Sequence, residues 1–181
     1  MLGIQPFVFK RVKTVIPIVS GFRFSDTQVN DAVSGTIDWT SLANVEADDA
    51  AITSLTLSSE TSTTKVLRIS NFGFTVPTDA TITGVAIKFE RSDAGKVGSG
   101  ADSIIQLVVA DALVGNNLST ATAYTGSPTI LNVGGIDNLW GLSSLTPAQV
   151  NATTFGVAVQ ATGTFKQLLI DYITMQVYYL A

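Results

Sequence analysis

Residues 166–180 have the sequence KQLLIDYITMQVYYL and form the longest stretch of the chain with the pattern of a β-strand. Successive side chains of a strand point to opposite faces, so alternate positions share a face. One face would carry Ile170, Tyr172, Thr174, Gln176, Tyr178 and Leu180, and the other Leu169, Asp171, Ile173, Met175, Val177 and Tyr179. Since both faces are largely apolar, the pattern predicts a strand buried on both sides, such as one at a subunit interface.

Similar short patterns, separated by turn residues, occur along the rest of the chain. Near residues 71–73 the side-chain alternation changes phase, which predicts a bulge in the strand at 65–75. A similar shift of the alternation at Gly84 predicts an irregularity in the strand at 81–90. Residues 92–100 are predicted to be a loop, and 114–138 long loops with small strand fragments. Thr146 and Pro147 are the expected N-cap and first residue of one helical turn. The predicted strands lie within residues 1–20, 53–59, 65–75, 81–90, 103–113, 154–162 and 166–180, with a short helix as the alternative for 103–113.

About eight strands without a βαβ rhythm predict an all-β fold, an antiparallel β-sandwich that is jelly-roll-like, with an immunoglobulin-like sandwich as the alternative. The composition agrees, because 23 threonines stand beside frequent Val and Ile, and β-branched side chains suit a pleated sheet. The 181 residues fit one sandwich domain at 21–181, preceded by residues 1–20 as an extended N-terminal arm or an ordinary first strand.

The composition also excludes several chemistries. The chain has no cysteine and no histidine, which removes disulfides, thiolate catalysis, His/Cys zinc sites and the Ser-His-Asp triad. Three Glu and eleven Asp remain, and none lies in a recognisable acid/base motif. Residues 95–100, GKVGSG, lack the order of a phosphate-binding loop. We therefore expect no enzyme activity, no catalytic residue, no cofactor and no dedicated metal site.

Charge divides the chain into a basic N-terminal part and an acidic body. Residues 1–25 carry four cations and no acid, while residues 26–181 carry a net charge of −8. The first part is also apolar, so we expect it to dock on an acidic neighbouring subunit by adding a strand to that subunit's sheet. The residues expected to bind the partner are Phe7, Phe9, Lys10, Arg11 and Lys13.

Other partners are not expected. The acidic body would repel nucleic acid. The longest apolar runs are far shorter than the roughly 18–20 residues of a membrane span, and the first twenty residues fit a signal peptide poorly. The pattern favours synthesis in the cytoplasm.

A few residue groups carry more than one interpretation. Residues 46–49, EADD, are predicted to form a solvated turn, with a cation or inter-subunit contact as the alternative. Asp93 and Asp102 flank a glycine-rich loop without the ligand spacing of an EF-hand. Asp171 is expected to bond backbone, Arg91 or Arg68 and so to hold a corner. The aromatic residues expected in the core or an interface, with a sugar-binding platform as the alternative, are Trp39, Tyr124, Trp140, Tyr172, Tyr178 and Tyr179.

The order of several short motifs resembles a β-sandwich type found in structural proteins of tailed bacteriophages. The motifs are NFGFTVP at 71–77, ATITGVAI at 80–87, LWGL at 139–142, FGV at 155–157, IDYI at 170–173 and VYY at 177–179. The resemblance covers roughly residues 35–180. It implies a virion structural protein, a capsid decoration (cement) protein of the head or a component of the tail or fibre.

That resemblance implies a mechanism as well as a location. A decoration protein would stabilise the phage head by bridging neighbouring copies of the major capsid protein or other virion subunits, after synthesis in the host cytoplasm. It would be a homo-oligomer, most simply a trimer. The alternative is a carbohydrate- or receptor-binding sandwich of a tail fibre or baseplate. That alternative predicts exposed Trp or Tyr in 114–145, whereas the decoration role predicts that Trp39 and Trp140 are buried.

Overall fold

The computed structural model of the protein describes residues 16–58, 60–94 and 97–181. In these residues the chain forms two antiparallel sheets with a shared core, which confirms the predicted all-β sandwich. The strands, numbered in chain order, are β1 Ile18–Val19, β2 Arg23–Phe24, β3 Thr27–Asp31, β4 Thr53–Thr56, β5 Ser62–Thr63, β6 Val66–Ser70, β7 Thr81–Asp93, β8 Ser99–Val109, β9 Ala112–Val114, β10 Thr129–Gly134, β11 Gly156–Thr164 and β12 Gln167–Leu180.

The first sheet is built around β12, the longest strand of the described residues. It pairs with β7 along one side and with β1, β2 and β4, one after another, along the other side. Strand β10 pairs with the far side of β7 and forms the opposite edge of this sheet. Residues 171–177 are all buried, which confirms that β12 is covered on both faces.

The second sheet has the order β3-β6-β11-β8-β9, with β5 also paired to β11. The side chains between the two sheets form one apolar core to which every long strand contributes. Both tryptophans lie in that core, with Trp39 2% and Trp140 0% exposed.

The alternation predicted for β12 is wrong at one place. The pairing of β12 with β7 shifts between Ile170 and Ile173, so these two residues, three positions apart, both face the core. Strict alternation would have placed them on opposite faces. A second shift, where Tyr178 pairs with Gly84 and Tyr179 with Ile82, confirms the irregularity predicted at Gly84.

Three other boundaries differ from the prediction. Strand β6 ends at Ser70, and the predicted bulge is instead the strand's end, because Asn71 and Gly73 adopt φ of 61° and 62°. Residues 103–113 form a hairpin rather than one strand, with a turn between β8 and β9. The predicted 92–100 loop is shorter, since β7 continues to Asp93 and β8 begins at Ser99.

The predicted helical turn lies where the sequence places it, and a 3₁₀ helix at Leu42–Glu46 is a further helical segment. The helix α1 spans Pro147–Val150 and begins after Thr146. The Thr146 hydroxyl accepts a hydrogen bond from the Gln149 backbone N–H, and the Gln149 side chain accepts one from the Thr146 backbone. This reciprocal capping box satisfies two N–H groups that a helix end leaves free.

Candidate functional site

The five residues predicted to bind a partner, Phe7, Phe9, Lys10, Arg11 and Lys13, lie outside the residues that the structure describes. What the structure does describe is the continuation of that stretch, residues 16–24, which we call the edge segment. The edge segment contains β1 and β2 and lies against β12 of the same chain.

Backbone bonds and one cation hold the edge segment in place. The Ser20 backbone N–H donates to the Val177 carbonyl at 3.0 Å, and the Ser20 hydroxyl accepts from the Val177 N–H at 2.9 Å. Arg23 donates to the Gly73 carbonyl at 2.8 Å. The ring of Phe24 meets the edge of Tyr172 with centroids 6.3 Å apart.

Most apolar side chains of the edge segment remain in solvent, although its backbone is fixed. Phe22, for example, is 45% exposed. A run of exposed apolar residues in one segment is a feature of protein interaction surfaces rather than of an ordinary solvated edge. The exposed apolar residues of the segment are Ile16, Ile18, Val19, Phe22 and Phe24.

A buried polar cluster links the two sheets near the C-terminal end of β7. Arg91 of β7 forms an ion pair with Asp102 of β8, and both side chains are almost fully buried. The Tyr124 hydroxyl donates to the second carboxylate oxygen of Asp102 at 2.9 Å, and the Arg91 guanidinium lies 4.5 Å from the Tyr124 ring centroid. The Nε of Arg91 has no hydrogen-bond partner.

Burial controls the ionisation of this cluster. It raises the pKa of Asp102 from 3.8 to about 6, because desolvation of the carboxylate outweighs the attraction of Arg91 and the hydrogen bond from Tyr124. Burial, together with the Asp102 charge, raises the pKa of Tyr124 well above its ordinary value. Sequence reasoning did not find this cluster, because its three members lie on three different segments.

The carboxylates that flank residues 94–101 are each engaged by a cation. Asp102 faces Arg91, and Asp93 forms an ion pair with Lys166 at 3.2 Å. The two carboxylates therefore do not converge on a shared calcium position. Within the described residues, no group of three or more acidic side chains is placed to hold a metal ion.

Of the partners predicted for Asp171, the structure confirms backbone groups and neither arginine. Arg68 pairs with Asp31 and Asp111, and Arg91 pairs with Asp102, so neither arginine reaches Asp171. Burial, and then the charge of Asp48, raise the pKa of Asp171, while backbone N–H groups of Asp49 and Ala50 lower it. One carboxylate oxygen of Asp171 has no hydrogen-bond partner.

The predicted aromatic residues are mostly internal. Tyr124 and Trp140 are the only Trp or Tyr residues of 114–145, and both are buried. The Trp140 indole N–H donates to the Val85 carbonyl at 2.9 Å, and the Trp39 indole donates to the Lys65 carbonyl at 3.2 Å. Neither tryptophan presents a ring face on which a sugar could stack.

A shallow groove of about 290 Å³ lies over the paired ends of β8 and β11. No aromatic residue lines it. Gly100 and Gly163 are paired in the ladder beneath it. The groove is lined by Thr61, Ser99, Gly100, Ala101, Ala123, Thr162, Gly163 and Thr164.

A search for membrane-spanning helices among the described residues finds none of sufficient length and hydropathy.

Comparison with known proteins assigns the chain to no family. No protein-family model matches the chain, and no curated protein matches it significantly. Among solved structures, the chain is similar to the carbohydrate-binding module TmCBM61, solved in complex with β-1,4-galactotriose. The identity is 14%, the match covers 81% of this chain and 90% of that one, and the TM-score is 0.39. A likeness this distant carries no functional argument, so the function has to be argued from this chain's own residues.

Proposed function

We propose that the protein is a non-enzymatic structural subunit of a virion, a decoration protein that binds neighbouring subunits through its N-terminal part. The observation that carries the proposal is the edge segment. Its backbone is fixed along β12, while its apolar side chains, Phe22 among them, are exposed. The segment continues a stretch that carries Lys10, Arg11 and Lys13, so a partner would meet apolar and basic side chains together.

The charge distribution supports binding between copies of such a subunit. Residues 26–181 carry a net charge of −8 and residues 1–25 carry +4, so the N-terminal part of one copy is attracted to the body of the next. The burial of Trp39 and Trp140 agrees with what a decoration role predicts. Many contacts of modest strength, summed over a lattice, would stabilise a shell.

The carbohydrate- or receptor-binding role remains the second candidate, as the alternative interpretation of a β-sandwich. It predicts an exposed Trp or Tyr in 114–145, and both residues of those types there are buried. The first candidate therefore has the stronger support.

The test measures the mass in solution of the full chain and of a chain lacking residues 1–20, by light scattering over a wide concentration range. We expect the full chain to associate and the shortened chain to associate less. A matched variant, Lys10→Ser with Arg11→Ser, keeps the length and removes two charges, and it should reduce association in low salt most strongly. Circular dichroism checks that each variant keeps its sheets.

The same preparations are then applied to a glycan array and co-sedimented with purified heads of the phage that encodes the chain. Binding to heads that depends on residues 1–20 supports the decoration role. Monomers at every concentration, together with retention on glycans, would contradict it and favour the carbohydrate-binding role.

A further inference from the structure

Strand β10 is an open edge with no protection against pairing. In the described part of the chain it pairs with β7 alone. The first pair of this ladder is Thr129 with Arg91, and the last is Gly134 with Ala86. Its sequence, TILNVG, contains no charge and no proline. Ile130 is 49% exposed. Natural proteins usually block such an edge with a charge, a proline or a very short strand.

The other edge strands of the described residues are shorter or better protected. The five residues of β3 end in Asp31, which lies 3.6 Å from the guanidinium of Arg68. β10, with six residues, is the longest edge strand of either sheet. The remaining edge strands have four residues or fewer and are β1, β2, β4, β5 and β9.

The pairing with β7 determines which backbone groups of β10 face outward. The Gly135 N–H donates to the Val85 carbonyl at 3.0 Å, one step beyond the last pair of the ladder. Hydrogen-bonded pairs alternate along an antiparallel ladder, so Thr129, Leu131 and Val133 bond to β7. The N–H and C=O groups of Ile130, Asn132 and Gly134 therefore point to the open edge.

We propose that β10 pairs with β10 of a second copy of this chain, antiparallel and about a two-fold axis at Leu131. In this register Ile130 lies opposite the partner's Asn132, and the two residues exchange both main-chain hydrogen bonds. The axis generates the same pair again, which gives four such bonds. The first sheet of one copy then continues into the first sheet of the next.

The charges on β7 match this register, but they lie three strand spacings, about 14 Å, apart across the new strand pair and contribute little to its choice. On β7, Glu90 is aligned with Ile130 and Lys88 with Asn132, and both point to the outer face of the sheet. With the axis at Leu131, Glu90 and Ile130 of one copy are aligned with Asn132 and Lys88 of the other, so each such row of side chains across the four strands has an acid at one end and a base at the other. An axis at Ile130 would align Glu90 with Glu90, and an axis at Asn132 would align Lys88 with Lys88.

The inner face also gains from the pairing. Leu131 and Val133 pack against the core but are only partly buried. At a two-fold axis Leu131 meets the partner's Leu131, and Val133 meets the partner's Thr129, which covers the open side of the core at this edge. Isologous pairing of this kind closes after two copies.

One strand pair buries less surface than a stable dimer needs, so we expect weak association that is reinforced where many copies are held together. The pairing deepens the assembly role proposed above and rests on it for its biological setting. It uses a different surface from the edge segment, so the two can fail separately.

The test uses the full chain, which contains no cysteine, so that each introduced thiol is unique. Residues that face each other without hydrogen bonds have Cα atoms about 4.5 Å apart, within the range that a disulfide spans. Leu131→Cys should therefore give a disulfide-linked dimer under mild oxidation. Val133→Cys alone should give none, because it faces the partner's Thr129, but a mixture of Val133→Cys and Thr129→Cys should cross-link.

A second variant tests the edge without a thiol. Asn132→Pro removes an outward N–H and no bond to β7, so it should abolish association through β10 and leave thermal unfolding nearly unchanged. It should also abolish cross-linking when combined with Leu131→Cys.

The outcomes are distinct. Cross-linking of Leu131→Cys that Asn132→Pro removes supports the proposal. Efficient cross-linking of Asn132→Cys instead of Leu131→Cys would overturn the register, and equal cross-linking of all single-cysteine variants, or none, would overturn the pairing. If these variants behave as expected while deletion of residues 1–20 changes nothing, the pairing stands and the arm-based function fails.

Discussion

At the scale of single residues, Asp102 joins the two sheets through a buried ion pair and a hydrogen bond. Its carboxylate receives Arg91 from the first sheet and the Tyr124 hydroxyl from the segment that follows β9. A buried ion pair contributes little net stability, but removal of one partner leaves the other charge buried and unpaired. The cluster thus makes the arrangement of the sheets dependent on the ionisation of one group.

That dependence gives a pH profile with a definite sign. The folded protein holds the Asp102 proton more tightly than the unfolded chain, since burial raises the pKa to about 6 from 3.8. The stability gained from protonation is complete below about pH 4 and is lost as the pH rises through about 6. Asp102→Asn should remove this slope from the free energy of unfolding, measured by urea denaturation between pH 4 and 7.

Asp102→Asn holds the site in its neutral form at every pH, so it should match the unchanged chain in stability near pH 4 and exceed it above pH 6, where Asp102 is charged. Asp79→Asn, in an exposed turn, is the matched control and should keep the slope. A slope that persists in Asp102→Asn would assign the titration to another group.

Trp140 holds the segment that leads out of β10. It has a φ of 58°, is fully buried, and donates to the Val85 carbonyl, which also accepts from Gly135. Trp140→Phe should lower the free energy of unfolding by about 2 kcal/mol, from one lost hydrogen bond and a cavity. Urea denaturation at neutral pH measures this, and a loss no greater than that of an exposed control, Ile136→Val, would show that the indole does not secure the segment.

At the scale of elements, the hairpin between β8 and β9 has an unfavourable turn. Its two central residues, Ala110 and Asp111, have φ of 50° and 63°, and Asp111 is held by Arg68 at 2.8 Å. Two-residue turns with positive φ at both positions favour Asn-Gly or Asp-Gly. Alanine has no side-chain polar group to offset the strain.

Ala110→Asn should therefore stabilise the protein by about 0.5–1 kcal/mol. Differential scanning calorimetry would detect the higher melting temperature. Ala112→Asn, two residues further on in β9, is the control and should be neutral or destabilising. If both substitutions behave alike, the turn conformation is not the cause.

The elements also show how far sequence reasoning reaches. The longest strands, the irregularity at Gly84 and the Thr146 cap follow from local patterns, and the structure confirms them. The short strands β2, β3 and β5 were not predicted. The ends of β6 and the hairpin of β8 and β9 were not predicted, because they depend on αL residues such as Asn71 and Ala110 that carry no glycine signal. β10 was predicted only as a small strand fragment, although its run between Pro128 and Gly135 contains no charge.

The candidate functional residues likewise include some that the sequence pattern reveals and some that it does not. The apolar, basic character of the N-terminal part is visible in the sequence. The contacts of Asp171 and the Arg91–Asp102–Tyr124 cluster are not, because pairing of distant segments creates them and a sequence pattern reports only neighbours along the chain.

At the scale of the whole molecule, exposed apolar residues lie on several parts of the surface, and the proposed function assigns partner binding to those of the edge segment. Phe22→Ser should reduce concentration-dependent association if the edge segment is a contact surface, because it removes an apolar side chain that is 45% exposed. Light scattering measures the effect. Phe165→Ser, at a residue 54% exposed in the turn before β12, is the control and should associate like the unchanged chain.

Equal loss in both variants would point to general hydrophobic adhesion rather than a defined surface. No change in Phe22→Ser would leave the edge segment without a role in association.

The antiparallel pairing of β1 with the end of β12, in which Ile18 lies opposite Tyr179, also determines how the molecule responds to mechanical force. Tension applied between residue 16 and residue 181 would load that pair from its open end, so its hydrogen bonds would break one after another rather than together. The edge segment would peel away at low tension while β7, β10 and the rest of β12 stayed paired. Stretching the chain would thus lengthen this link before the sandwich core is disturbed.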